Sequence, residues 1–132
     1  MDIARILGGI VAAGRMGYGG AVLARPELAG IGWIGLRNAR KPGTKLMIRS
    51  QGARDLALGA GALASLLRGR TDEARMWFAG QTVSDGTDFA VTWAERRKLP
   101  RRGVTIGLAS AGACTAVAAI AAAVPRRSGK EG

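Results

Sequence analysis

Four long apolar stretches run through this chain, separated by short blocks of basic residues. The last is the clearest. Gly103 to Val124 holds no ionisable side chain except Cys114, and its 22 residues would rise about 33 Å as a helix, enough to cross a bilayer. Ile6 to Ala24 is interrupted only by Arg15. Met76 to Ala94 carries Asp85 and Asp88 between Trp77 and Trp93, which stand sixteen residues or about 24 Å apart on a helix, the separation of two interfacial aromatic belts. Ser50 to Leu67 gathers its polar residues at its N-terminal end. This pattern predicts an all-α fold, a four-transmembrane-helix bundle with spans at about 6–24, 50–67, 76–94 and 103–124. In the first loop Pro26 ends the first helix, and ELAGIGWIGL is too short to span and is expected to form an interfacial segment around Trp33. Lys41-Pro42-Gly43 predicts a turn.

Length and charge refine this picture. The 132 residues make one domain, taken as 1–124, followed by a basic C-terminal tail, 125–132. Lys and Arg outnumber Asp and Glu 20 to 9, for a net charge of +11. Such a balance suits nucleic acid, an anionic membrane surface or an Arg-rich genome, and the placement of the basic residues decides between them. They sit in blocks that punctuate apolar segments, as membrane-flanking charge does, so no nucleic-acid partner is expected. The two odd-numbered loops hold eleven Lys/Arg against seven on the opposite side, which favours loops in the cytoplasm and termini outside, in a multi-pass protein of the cell membrane. With no His and a single Cys, zinc fingers, Ser–His–Asp triads, Cys–His nucleophiles and disulfide frameworks are excluded. Gly-rich GRMGYGG and GAGA follow no strand and lack a Lys-Ser/Thr ending, so no cofactor or nucleotide loop is expected. Asp85 and Asp88 could share a cation, but the longer Asp series of lipid-head-group transferases is missing, and no metal site is assigned. The competing architecture is a soluble all-α domain, which would have to cover a last helix that is apolar all round.

The charges inside the spans are the candidate chemistry. On the third span Trp77, Gln81, Ser84, Asp85, Asp88, Thr92 and Glu95 fall within about 100° of arc, a polar stripe that must turn away from lipid. Arg15 and Asp85 lie at the middles of helices that run the same way, and Arg54, Asp55 and Asp88 lie in the same half of the bilayer. Arg15 with Asp85, and Arg54 with Asp88, are the expected pairs, with Tyr18 and Gln81 satisfying leftover hydrogen-bonding groups. A mid-bilayer Arg costs about 2.5–3.5 kcal/mol on insertion scales. That cost is returned either by locking the helices into register or by a polar pocket. Small residues recur every four positions at Gly103, Gly107, Ala111, Thr115, Ala119 and Ala123, and at Gly9, Ala13, Gly17 and Ala21. Both faces suit close helix packing, within the chain or against another subunit.

A Gly-rich first span with a central Arg15 and an Arg25-Pro26 ending, the Gly52-Ala53-Arg54-Asp55-Leu56-Ala57-Leu58-Gly59 opening of the second, and Asp85-x-x-Asp88 in the third resemble an uncharacterised family of small bacterial four-helix integral membrane proteins. The likeness covers roughly residues 5–124. It implies the topology and no particular activity, and it marks Arg15, Arg54, Asp55, Asp85 and Asp88. The leading functional expectation is a structural or accessory subunit whose small-residue faces dock a larger membrane assembly or a second copy. The alternative is a small membrane enzyme or carrier acting on an apolar isoprenoid or lipid. Asp85 or Asp88 would then supply a proton, and Arg15 or Arg54 would anchor an anionic or oxygenated group.

Overall fold

A computed structural model describes residues 3–123, and side chains over 5–122. The basic tail expected at 125–132 lies outside the described residues. Every described element is a helix: α1 (Ile3–Ala24), α2 (Pro26–Ile34), α3 (Leu36–Ala39), α4 (Pro42–Leu67), α5 (Thr71–Glu95) and α6 (Arg101–Ala123). Among them α1 and α6 are long and apolar enough to cross a membrane. Helices α4 and α5 are longer still but carry the charged residues of the polar stripe and its partners.

The boundaries follow local chemistry. Pro26 separates α1 from α2 and opens α2 at its first turn, where a missing N–H costs nothing. Gly35 takes φ 82° and ψ 154°, a region open essentially to glycine, and turns the chain between α2 and α3. The turn expected at Lys41-Pro42-Gly43 is instead a helix start. Lys41 is the extended N-cap and Pro42 opens α4, which begins eight residues before the span expected at Ser50. Proline here initiates rather than breaks, because its fixed φ is already helical. Helix α4 ends in a Schellman motif: Arg70 N–H donates to Ser65 O, Gly69 N–H to Leu66 O, and Gly69 supplies the positive φ. Arg5 caps the same terminus, donating to Leu66 O. Asp72 and Glu73 then place negative charge at the start of α5.

The helices pack in the order α1–α4–α5–α6, and α1 and α6 barely touch. The α1–α4 seam is the closest. A Cβ added to Gly59 would stand 2.6 Å from Met16 N and 2.7 Å from Ala12 O, and one on Gly52 would stand 3.0 Å from Gly19 O. These crossings bring backbone against backbone, which glycine alone permits. The face of α1 that does this is Ala12, Met16 and Gly19, while Gly8 packs against the side chains of Phe78 and Leu66. The face singled out by its four-residue spacing is not the packed one, since Gly9 and Gly17 meet nothing within 4 Å and Ala13 and Ala21 are exposed. The spacing rule misses this because the contact stripe follows mixed three- and four-residue steps, as helix packing requires.

Along its length the bundle has two different interiors. Toward the α4–α5 turn, Ala12, Ala62, Leu66, Ala74 and Phe78 form an apolar cluster. Beyond it the interior turns partly polar, with Gln81, Asp85, Asp55 and Thr92 buried in the same bundle as Val22, Ala39 and Ile48. Gln81 and Thr92 are the two largest fully buried side chains among the described residues, while Leu7, Ile10, Met47, Leu67, Met76, Val83 and Ile120 point outward. Large apolar groups outside and polar groups inside invert the arrangement of a water-soluble domain.

Candidate functional site

Helix α1 places Arg15 one to two turns from the close crossing at Gly19, so its side chain enters between α4 and α5. There Arg15 Nη1 donates to Asp55 Oδ1 at 2.8 Å, and Nη2 donates to Asp85 Oδ2. Arg54, the residue before Asp55, reaches across to α5 and forks onto Asp88, with Nη2 2.7 Å from Oδ2 and Nη1 3.4 Å from Oδ1. Its Nη2 also lies 3.5 Å from Asp55 Oδ1. Asp55 therefore accepts from both guanidiniums and joins the two pairs into one cluster spanning three helices. The side chains of Arg15, Asp55 and Asp85 are 9, 7 and 7% exposed, whereas Arg54 retains 35%. The i−4 neighbour of Asp55 on the same face of α4, Gln51, donates Nε2 to Asp88 Oδ2 at 3.5 Å.

Of the remaining residues expected at the site, Tyr18 stands on its wall and donates to no described residue. Gln81 does not serve the charges at all. Its Nε2 donates to Leu58 O at 3.3 Å in the α4–α5 seam, and its Oε1 is buried without a partner. Gln81 sits one helical turn before Asp85, on the apolar-cluster side, beside the Leu58 carbonyl.

Above the cluster lies a cavity of about 660 Å³, in the gap left where α1 and α6 diverge. Arg15, Asp55, Asp85, Asp88 and Gln51 form its polar floor. Val11, Gly14 and Tyr18 of α1 face Ile106, Ala111, Cys114 and Val117 of α6 across it, and Leu28, Ala29 and Trp33 of α2 close one end. Helix α2 is held in that place from two sides. The Trp33 backbone presses on Gly103, and its indole lies against Gly107, where a Cβ would come within 2.6 Å of Nε1. On the other side Lys45 Nζ pairs with Glu27 Oε1 at 3.0 Å. Glu27 lies outside the long helices, and its pKa is held below the ordinary carboxylate range, first by its own backbone N–H at the start of α2 and then by Lys45.

The small-residue run on α6 is thus partly consumed within the chain, as the seat for Trp33. Trp33, Gln51, Ala111 and Cys114 were not among the expected site residues. Gln51 was accessible from its i, i+4 relation to Asp55. The other three are apolar or small residues whose role depends on which helix faces them. The carboxylates of the Asp85-x-x-Asp88 pair each face a guanidinium, so the arrangement offers hydrogen-bond acceptors and fixed charge beneath an apolar chamber.

No family model, curated protein or solved structure matches this chain.

Proposed function

We propose that this protein is a small multi-pass protein of the cell membrane, with α1, α4, α5 and α6 as its four spans, that binds a lipid-soluble amphiphile in the cavity between α1, α2 and α6. The observation that carries the reading is the cavity itself. It is chain-sized, apolar on its walls, open where two spans part, and floored by a convergent set of polar groups, the usual make-up of a small-molecule site. The membrane setting is supported by the inverted burial pattern. Only 22% of the apolar window of α1 and 11% of that of α6 is buried by the rest of the chain, less than the core helix of a soluble bundle needs, which supports this setting. The apolar cluster of Ala12, Ala62, Leu66, Ala74 and Phe78 closes the other half of the bundle, which suits a pocket rather than a channel.

Two measurements test this. Alkaline carbonate should leave the protein in the membrane pellet; release would end the membrane reading. Native mass spectrometry after extraction in a mild maltoside detergent should retain a discrete bound mass on the wild type and none on Ala111→Phe, which sets a ring across the narrow space between α1 and α6. A bare wild-type protein that also takes up no added long-chain alcohol would end the binding reading.

A second reading is an accessory subunit that docks a larger membrane assembly. It is favoured by the open glycine face of α1, where Gly9, Gly17 and Gly20 meet nothing within 4 Å. Co-purification of a stoichiometric membrane partner that is lost on Gly17→Leu would support it.

A further inference from the structure

The floor of the cavity is not electrically balanced. Among the described residues, the titratable groups lining it are Arg15 and Tyr18 from α1, Asp55 from α4, Asp85 and Asp88 from α5, and Cys114 from α6; α2 contributes none, and Arg54 of α4 joins the cluster through Asp55 and Asp88. Two guanidiniums face three carboxylates, so the cluster carries one surplus negative charge when all are ionised. The surplus has a location. Arg54 forks onto both oxygens of Asp88, whereas Arg15 engages only Oδ1 of Asp55 and Oδ2 of Asp85. Asp55 Oδ2 and Asp85 Oδ1 receive no hydrogen bond from a described residue, although both side chains are more than nine-tenths buried and line the cavity. Two carboxylate oxygens without donors, beneath an apolar chamber, ask for a donor that also brings positive charge.

We propose that the amphiphile is a monocation, an alkylammonium-type molecule whose N–H groups meet Asp55 Oδ2 and Asp85 Oδ1 while its apolar part fills the space between α1 and α6. This rests on the cavity-binding reading above and gives it a charge sign. It also reassigns the arginines. Each already engages carboxylates through its Nη atoms, with only Arg54 Nε left without a described partner, so Arg15 and Arg54 hold the acceptors in place rather than anchor an anionic head group, which would add like charge to a site already negative.

The chain's single cysteine, Cys114, is exposed and lines the cavity, so its reactivity can be used to read occupancy. Protein in maltoside micelles would be treated with methyl methanethiosulfonate in the presence of dodecylamine, dodecanol or dodecyl phosphate at matched micellar mole fractions. Dodecylammonium should protect Cys114 at a mole fraction roughly tenfold or more below that of dodecanol, as a charge-assisted hydrogen bond predicts. Dodecyl phosphate should protect least. Asp85→Asn removes the surplus while leaving Arg15 on Asp55 and Arg54 on Asp88, and should erase the preference for amine over alcohol without abolishing alcohol binding. Gln51→Lys, which sets a fixed ammonium on the same floor, should erase it too and serves if Asp85→Asn does not fold. Equal protection by amine and alcohol in the wild type, as a floor already neutralised by a bound proton would give, overturns the cationic assignment and leaves the cavity reading standing. Stronger protection by the phosphate overturns it as well. No protection by any of the three overturns the cavity reading itself.

Discussion

Helix α1 has two seams, and they are built on opposite terms. Against α4 it lies backbone to backbone, with Ala12, Met16 and Gly19 meeting Gly52 and Gly59 so closely that a methyl group has no room. Against α6 it scarcely makes contact, and the gap is a cavity of about 660 Å³. The same helix is therefore clamped on one side and free on the other, with Arg15 at the boundary. In a lipid setting, where burial of apolar surface offers no drive between helices, close van der Waals packing and polar contacts must hold the bundle. Concentrating both on the α1–α4–α5 side leaves the α1–α6 side open without loss of the fold. Tightness in one seam is the condition for space in the other.

The contrast can be broken most strongly at its boundary. Arg15→Gln leaves Asp55 and Asp85 buried without their shared cation and should cost about 3–5 kcal/mol, read as a large drop in the detergent concentration or temperature of unfolding. Asp85→Asn should cost far less, because Arg15 keeps Asp55; equal losses in the two variants would mean that the cluster acts as simple pairs. Next comes the closed seam itself. Gly59→Val drives a side chain into Met16 and Ala12 backbone atoms and should destabilise by about 1–3 kcal/mol or more. Gly17→Val, on the open face of the same helix, should fall within about 0.5 kcal/mol of wild type in the isolated protein. Similar losses at both positions would show that the two faces are not distinct. In the open seam, Ala111→Phe should shift stability by less than about 1.5 kcal/mol while abolishing protection of Cys114 by added amphiphile. The smallest effect belongs to the tether of α2. Because the folded-state pKa of Glu27 is depressed, its contribution is present above the ordinary carboxylate range and is lost as pH falls through that lowered value. The protection of α2 amides relative to their intrinsic exchange rates should therefore fall on acidification, with a weaker pH response in Lys45→Met, where only the backbone N–H still holds the carboxylate charged.

The sequence determined on its own that the chain is all-α and where its long helices run, because a 3.6-residue turn and an apolar run of bilayer length leave their marks locally. It also showed that Asp85 and Asp88 share a face and that Arg15 stands at the middle of its apolar run, since depth along a helix is simple counting. Tertiary structure alone decided the rest. The choice of Ala12, Met16 and Gly19 over the evenly spaced Gly9 and Gly17, the loss of Gln81 to a neighbouring carbonyl, and the seating of Trp33 on Gly103 and Gly107 all depend on which surfaces meet. So does Asp55 as the acceptor common to both guanidiniums, and with it the two carboxylate oxygens left without a described donor. Periodicity states what each helix could present. Only the rotation and crossing of neighbouring helices select which presented groups touch and where a gap between them remains.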